Sequence, residues 1–102
     1  MENFEILENV VSKLIKVIET NEHSGITVQL DTLYWLHNKI ITKYPFEKIN
    51  IDEIIEIFFP THGGLTDYYV WLADEEKRIL QNREITDIKH ELFEILKQLS
   101  QD

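Results

Sequence analysis

Histidine–carboxylate pairs are the side chains in this 102-residue chain whose types and spacing best suit chemistry. Cysteine is absent, so a thiolate nucleophile, a thiolate metal site and a disulfide framework are all excluded. The first pair is His62 and Asp67, within Pro60-Thr61-His62-Gly63-Gly64-Leu65-Thr66-Asp67. Such a pair can move a proton or supply half of a metal site. Catalysis needs a third group or a nucleophile beside it, and a metal needs more ligands. A second set, Asp87, His90, Glu91 and Glu94, resembles half of a di-iron bundle site. That site needs a matching pair elsewhere, and Glu19 with His23 has the wrong spacing, so a solvated helix face accounts for the set. The Gly63-Gly64 pair suggests a phosphate cradle, but no Walker-type lysine follows and no G-x-G-x-x-G is present. The residues therefore read as no enzyme, no cofactor and no metal site.

Charge points to a partner instead. The formal net charge is −9. Residues 51 to 76 hold Asp52, Glu53, Glu56, Asp67, Asp74, Glu75 and Glu76 with no Lys or Arg. Such a field repels nucleic acid and anionic lipid and attracts a basic surface; solubility alone also favours acidic surfaces. Tyr34, Trp35, Tyr68, Tyr69 and Trp71 lie amid carboxylates rather than the cations that accompany base stacking. Core packing accounts for most of them, and Tyr or Trp with one wet end suits a protein interface.

Helices must position these groups. Phe4, Leu7, Val11, Leu14 and Ile18 mark one face of a helix over 3–22, widened by Val10, Ile15 and Val17. Asn21 to Gly25 stops it. A second helix is predicted from about Thr27 to Lys43, capped by Ser24 or Thr27. Its stripe is Leu30, Leu33, Ile40 and Tyr44, with Trp35, Leu36 and Ile41 flanking and His37 between its apolar turns, and Pro45 ends it. Asn50 with Glu53 forms a capping-box pattern, and Ile49 with Ile54 a hydrophobic staple, for a third helix that Pro60 closes. A short helix over 74–81 and a last helix begun by Thr86 follow. The expected break at 82–85 arises because Asn82, Arg83 and Thr86 would otherwise fall on the face Ile79 needs buried. The last helix buries Ile88, Leu92, Ile95 and Leu99, with Phe93 and Leu96 beside them.

The fold class is all-α: a single helical domain over 1–102, an antiparallel bundle of four to five helices with an irregular Gly-rich insert at 60–73. Pro60, Gly63, Gly64 and Thr66 shape that insert, the glycines through positive φ. Residues 68 to 72 read either as a short β-strand, pairing back on 46–51, or as the first turns of a helix; the extended reading is preferred. The opening Met1-Glu2-Asn3-Phe4-Glu5 is unlike a signal peptide, and no apolar run reaches the ~20 residues of a membrane span, which predicts a cytoplasmic protein.

The segment Phe59-Pro60-Thr61-His62-Gly63-Gly64-Leu65-Thr66-Asp67-Tyr68-Tyr69-Val70-Trp71, with the final Ile-Lys-His-Glu-Leu-Phe-Glu-Ile-Leu helix, resembles small bacterial helical proteins with a G-G-x-[ST]-D loop. The resemblance covers roughly 55 to 99. Some of those proteins are similar to immunity proteins encoded beside polymorphic or contact-dependent toxins. The resemblance implies a toxin-neutralising immunity protein that blocks a basic, nuclease-like toxin domain, and it carries over no catalytic residue. The alternative is another acidic inhibitor, DNA mimic or adaptor of phage or bacterial origin. Either way the expected contacts are Asp67, Tyr68, Trp71, Asp74, Glu75 and Glu76, with a protein partner and neither nucleic acid nor membrane.

Overall fold

Apolar residues at helical spacing produce four helices in the computed structural model, which describes residues 2–101. They are α1 (Glu2–Glu19), α2 (Thr27–Ile41), α3 (Ile51–Phe58) and α4 (Glu75–Gln101), with 3₁₀ turns at Ser24–Ile26 and Phe46–Lys48. Each α-helix packs on its sequence neighbours, and α4 returns to α1, which closes a four-helix bundle. No β-strand occurs among the described residues.

The core uses most of the predicted stripes, with Ile85 added from inside the expected break and Ile40 and Leu99 only partly buried. Leu7, Val10, Val11, Leu14 and Ile18 of α1 meet Leu30, Leu33 and Leu36 of α2, Ile51, Ile54 and Phe58 of α3, and Ile85, Ile88, Leu92, Ile95 and Leu96 of α4. Each fully buried side chain of this kind contributes about 1.5–3 kcal/mol. Leu36, expected at the flank of α2, is fully buried, whereas Tyr44 stays partly exposed. The reason lies in the end of α2. The helix stops at Ile41, before Pro45 acts, because Lys43 turns left-handed (φ 57°). The Tyr44 N–H then donates to Lys39 and the Lys43 N–H to Ile40, which is a Schellman arrangement.

Helix starts follow local chemistry in part. The Glu53 N–H donates to the Asn50 side chain at 3.1 Å, so the predicted cap of α3 forms. At α2 neither Ser24 nor Thr27 acts as the cap. The Thr27 hydroxyl donates back to the Ser24 carbonyl, and Ile26 occupies the cap position without a side-chain bond. At the end of α1, Asn21 Nδ2 donates to Val17 O, and His23 Nδ1 faces Ile18 O and Asn21 O at 3.1 and 2.7 Å. Two carbonyls around one ring nitrogen require the proton on Nδ1, so His23 serves as a helix-end donor.

The largest departure from expectation is α4. It runs without a break through 82–85 for 27 residues, about 40 Å at the α-helical rise. Ile79 is left half-exposed, at 48%, and Arg83 and Thr86 on its face are exposed as well. That face meets solvent and so requires no break, while part-buried Asn82 is satisfied by Val70 in the chain between α3 and α4.

A candidate interaction surface

The insert begins with a tightly folded turn. Gly63 and Gly64 both have positive φ (79° and 58°), and a Cβ on Gly64 would lie 2.7 Å from Pro60 Cδ. The Gly63 N–H donates to Asp67 Oδ2 at 2.6 Å, the Thr66 hydroxyl to Pro60 O at 2.9 Å, and the Leu65 N–H to Phe58 O at 2.9 Å. Leu65 is fully buried and anchors the turn in the core. Pro60, Gly63, Gly64 and Thr66 thus all take part in the turn. Asp67 spends one carboxylate oxygen closing it, and no hydrogen bond joins Asp67 to His62, which is exposed.

Beyond the turn, residues 68–72 form neither helix nor turn and lie against α4, with the alternating burial of an extended segment. Three α4 side chains hold it by its backbone. Lys89 Nζ donates to Tyr68 O at 3.0 Å, and Arg78 Nη1 donates to Leu72 O at 3.2 Å. Between them the Asn82 amide makes both bonds of Val70, accepting from its N–H at 2.7 Å and donating to its carbonyl at 2.9 Å. Pairing at 68/89, 70/82 and 72/78 runs antiparallel to the helix. The expected strand is therefore an extended segment that pairs with helix side chains, not with residues 46–51.

Extended geometry sorts its side chains alternately. Tyr68 and Val70 point inward, 8% and 3% exposed, and Tyr69 and Trp71 point outward, 70% and 74% exposed. The Tyr68 hydroxyl donates to Glu22 O at 3.1 Å, and burial raises its pKa above the ordinary phenol value, reinforced by Glu22. Burial also lowers the pKa of Lys89, opposed by nearby Asp67. Arg78 lies over the Trp71 ring, 4.3 Å from its centroid.

Among the expected contact residues, Trp71, Asp67, Asp74, Glu75 and Glu76 are exposed, while Tyr68 belongs to the framework. Asp74 caps α4, accepting from the Lys77 N–H at 3.0 Å, and Glu75 and Glu76 sit in its first turn, where the helix dipole favours them. The outward partner of Trp71 is Tyr69, which reading the sequence missed. The unbroken apolar run from Tyr68 to Ala73 hides a two-residue alternation, because the groups that sort it, Arg78, Asn82 and Lys89, lie further along the chain.

The acidic run of the sequence does not become one acidic patch. Asp52 accepts the Ser100 hydroxyl near the end of α4, whereas Asp74 caps its beginning, so residues 51–76 travel the length of that helix. The carboxylates that flank the aromatic pair along the chain are Asp67, Asp74, Glu75 and Glu76, and Glu22 lies beside Tyr68. Asp87, His90, Glu91 and Glu94 are all exposed on α4. Among the described residues no cluster of three or more His, Asp or Glu side chains is placed to hold a metal, and no helix is long and apolar enough to cross a membrane. Compared with known proteins, the chain matches no family model, no curated protein and no solved structure.

Proposed function

We propose that this protein is a toxin-neutralising immunity protein that docks a basic, nuclease-like toxin domain against its Tyr69–Trp71 surface. The observation that supports this reading is the outward pair Tyr69 and Trp71, bracketed by exposed Asp67 on one side and Asp74, Glu75 and Glu76 on the other. Large aromatic groups fixed by a rigid backbone lose little entropy on binding and serve as anchors. A carboxylate rim speeds and orients the approach of a cationic cleft. Neutralisation then needs only occupancy of that cleft, with no chemistry supplied by this chain.

The test is co-expression and pull-down with the product of the adjacent gene. The native chain captures that product and restores growth, and capture weakens as salt rises. Changing Asp74, Glu75 and Glu76 to Lys together with Trp71→Ala abolishes both effects. Capture that survives these changes with full growth rescue sinks the reading.

A second reading draws on the spread of acids along α4. An inhibitor that imitates a nucleic-acid backbone needs carboxylates strung over a length of this order, and Asp52 to Glu76 run along a molecule 43 Å long. Under that reading duplex DNA competes with the protein for its target, and substitutions at Asp52, Glu53 and Glu56 matter as much as those at Asp74 to Glu76.

A further inference from the structure

We propose that Tyr69–Trp71 is an open strand edge that receives a basic, extended segment of the partner by strand addition. In extended backbone the N–H and C=O of one residue point to one side, and those of the next residue to the other. Lys89 and Arg78 take the carbonyls of Tyr68 and Leu72, and Asn82 takes both groups of Val70, all on the side that faces α4. The groups facing away belong to Tyr69 and Trp71. Among the described residues neither their N–H nor their C=O groups make an intramolecular hydrogen bond. With both side chains mostly in solvent, nothing in this chain covers the edge. A row of two donors and two acceptors at strand spacing is matched by another strand, not by a helix, whose own main-chain groups are already used.

Charge decides the occupant. Asp67 precedes the edge and Asp74, Glu75 and Glu76 follow it. A second copy pairing antiparallel, with Tyr69 opposite Trp71, would set Asp67 opposite Ala73 and next to Asp74, like charge beside like charge, which disfavours self-association. A strand carrying Lys or Arg meets these carboxylates instead; Arg78 already lies over one face of the Trp71 ring, and the exposed Tyr69 ring accepts the partner's cations and aliphatic stems. Specificity then comes from side chains and adhesion from the backbone. The inference rests on the docking reading above for where the partner binds, and adds how it binds.

The experiment uses the full chain labelled for amide NMR and a short synthetic peptide alternating lysine with valine. Expected are downfield shifts of the Tyr69 and Trp71 amides and, at saturation, exchange slowed on the order of tenfold or more. The same peptide N-methylated on its edge-facing amides loses on the order of tenfold in affinity, and a glutamate–valine peptide does not bind. Absence of lysine-peptide binding, equal binding of the N-methylated form, or protection of these amides by self-association without peptide would each overturn the proposal. The same amide measurement in the complex with the adjacent gene's product separates the two readings. Neutralisation with Tyr69 and Trp71 amides still exchanging freely removes strand addition and leaves docking intact; no capture at all removes docking.

Discussion

The side-chain amide of Asn82 and the backbone of Val70 form a two-bond pair, at 2.7 and 2.9 Å, that imitates one rung of a β-ladder between a helix and an extended chain. This rung explains two things at once. It lets α4 carry a polar residue on an inward stripe without breaking, and it fixes the register that turns Tyr69 and Trp71 outward. Asn82→Ala leaves two backbone groups of buried Val70 unpaired and is expected to destabilise the fold by about 1–3 kcal/mol. Urea unfolding measures that loss. Trp71 fluorescence anisotropy, read in a Trp35→Phe background, is expected to fall as the segment loosens; an unchanged Trp71 signal would show that Asn82 does not set the display.

The two glycines of the turn separate backbone strain from collision. Gly63 has positive φ and open space where a Cβ would stand, whereas Gly64 has positive φ and a side chain there would meet Pro60 at 2.7 Å and Phe58 O at 3.1 Å. Gly63→Ala is expected to cost about 1–2 kcal/mol from the left-handed conformation alone. Gly64→Ala is expected to cost more, by roughly 1–3 kcal/mol, because Pro60 must also shift. Thermal unfolding of both variants checks the order; equal losses would argue that Pro60 yields freely.

Lys43 offers the opposite sign. It holds φ 57° at the end of α2, a conformation that favours glycine. Lys43→Gly is expected to stabilise the protein by up to about 1 kcal/mol, seen as a higher midpoint in urea without a change of slope. A lower midpoint would mean that the lysine side chain supports the turn.

Alkaline stability tests the burial of Tyr68. Its folded pKa is raised, so above the ordinary phenol value the folded state keeps a proton that the unfolded state has lost. Stability from this group is complete below that value and falls as pH rises through the folded pKa. Tyr34, whose hydroxyl donates to Glu19, has the same sign, and Lys89, lowered by burial, has the opposite one. Tyr68→Phe is expected to cost about 0.5–1.5 kcal/mol at neutral pH through the lost bond to Glu22 O. Above about pH 10 it should lose less than the native chain on further titration. The check is urea unfolding at several pH values, alongside tyrosinate absorbance, from which the variant lacks a late-ionising component.

Local rules carried much of the architecture. Leu7, Val11, Leu14 and Ile18 announce the buried face of α1, and Asn50 with Glu53 announces the start of α3, because both depend on residues three or four apart that meet within one helix turn. The turn at Gly63-Gly64 and the cap at Asp74 are legible for the same reason. What no local rule could supply was the fate of groups whose partners lie far along the chain. Asn82 looks like a helix breaker until Val70 reaches it, and Tyr69 looks like Tyr68 until Lys89, Asn82 and Arg78 take one side of the segment. Seven carboxylates counted over residues 51 to 76 look like a patch until the chain spreads them along α4. Helix type and the inward stripes follow from periodicity, a property of neighbours. Which aromatic faces solvent, and which charges stand together, follow from where a 40 Å helix meets an extended chain, and only packing between distant segments determines that.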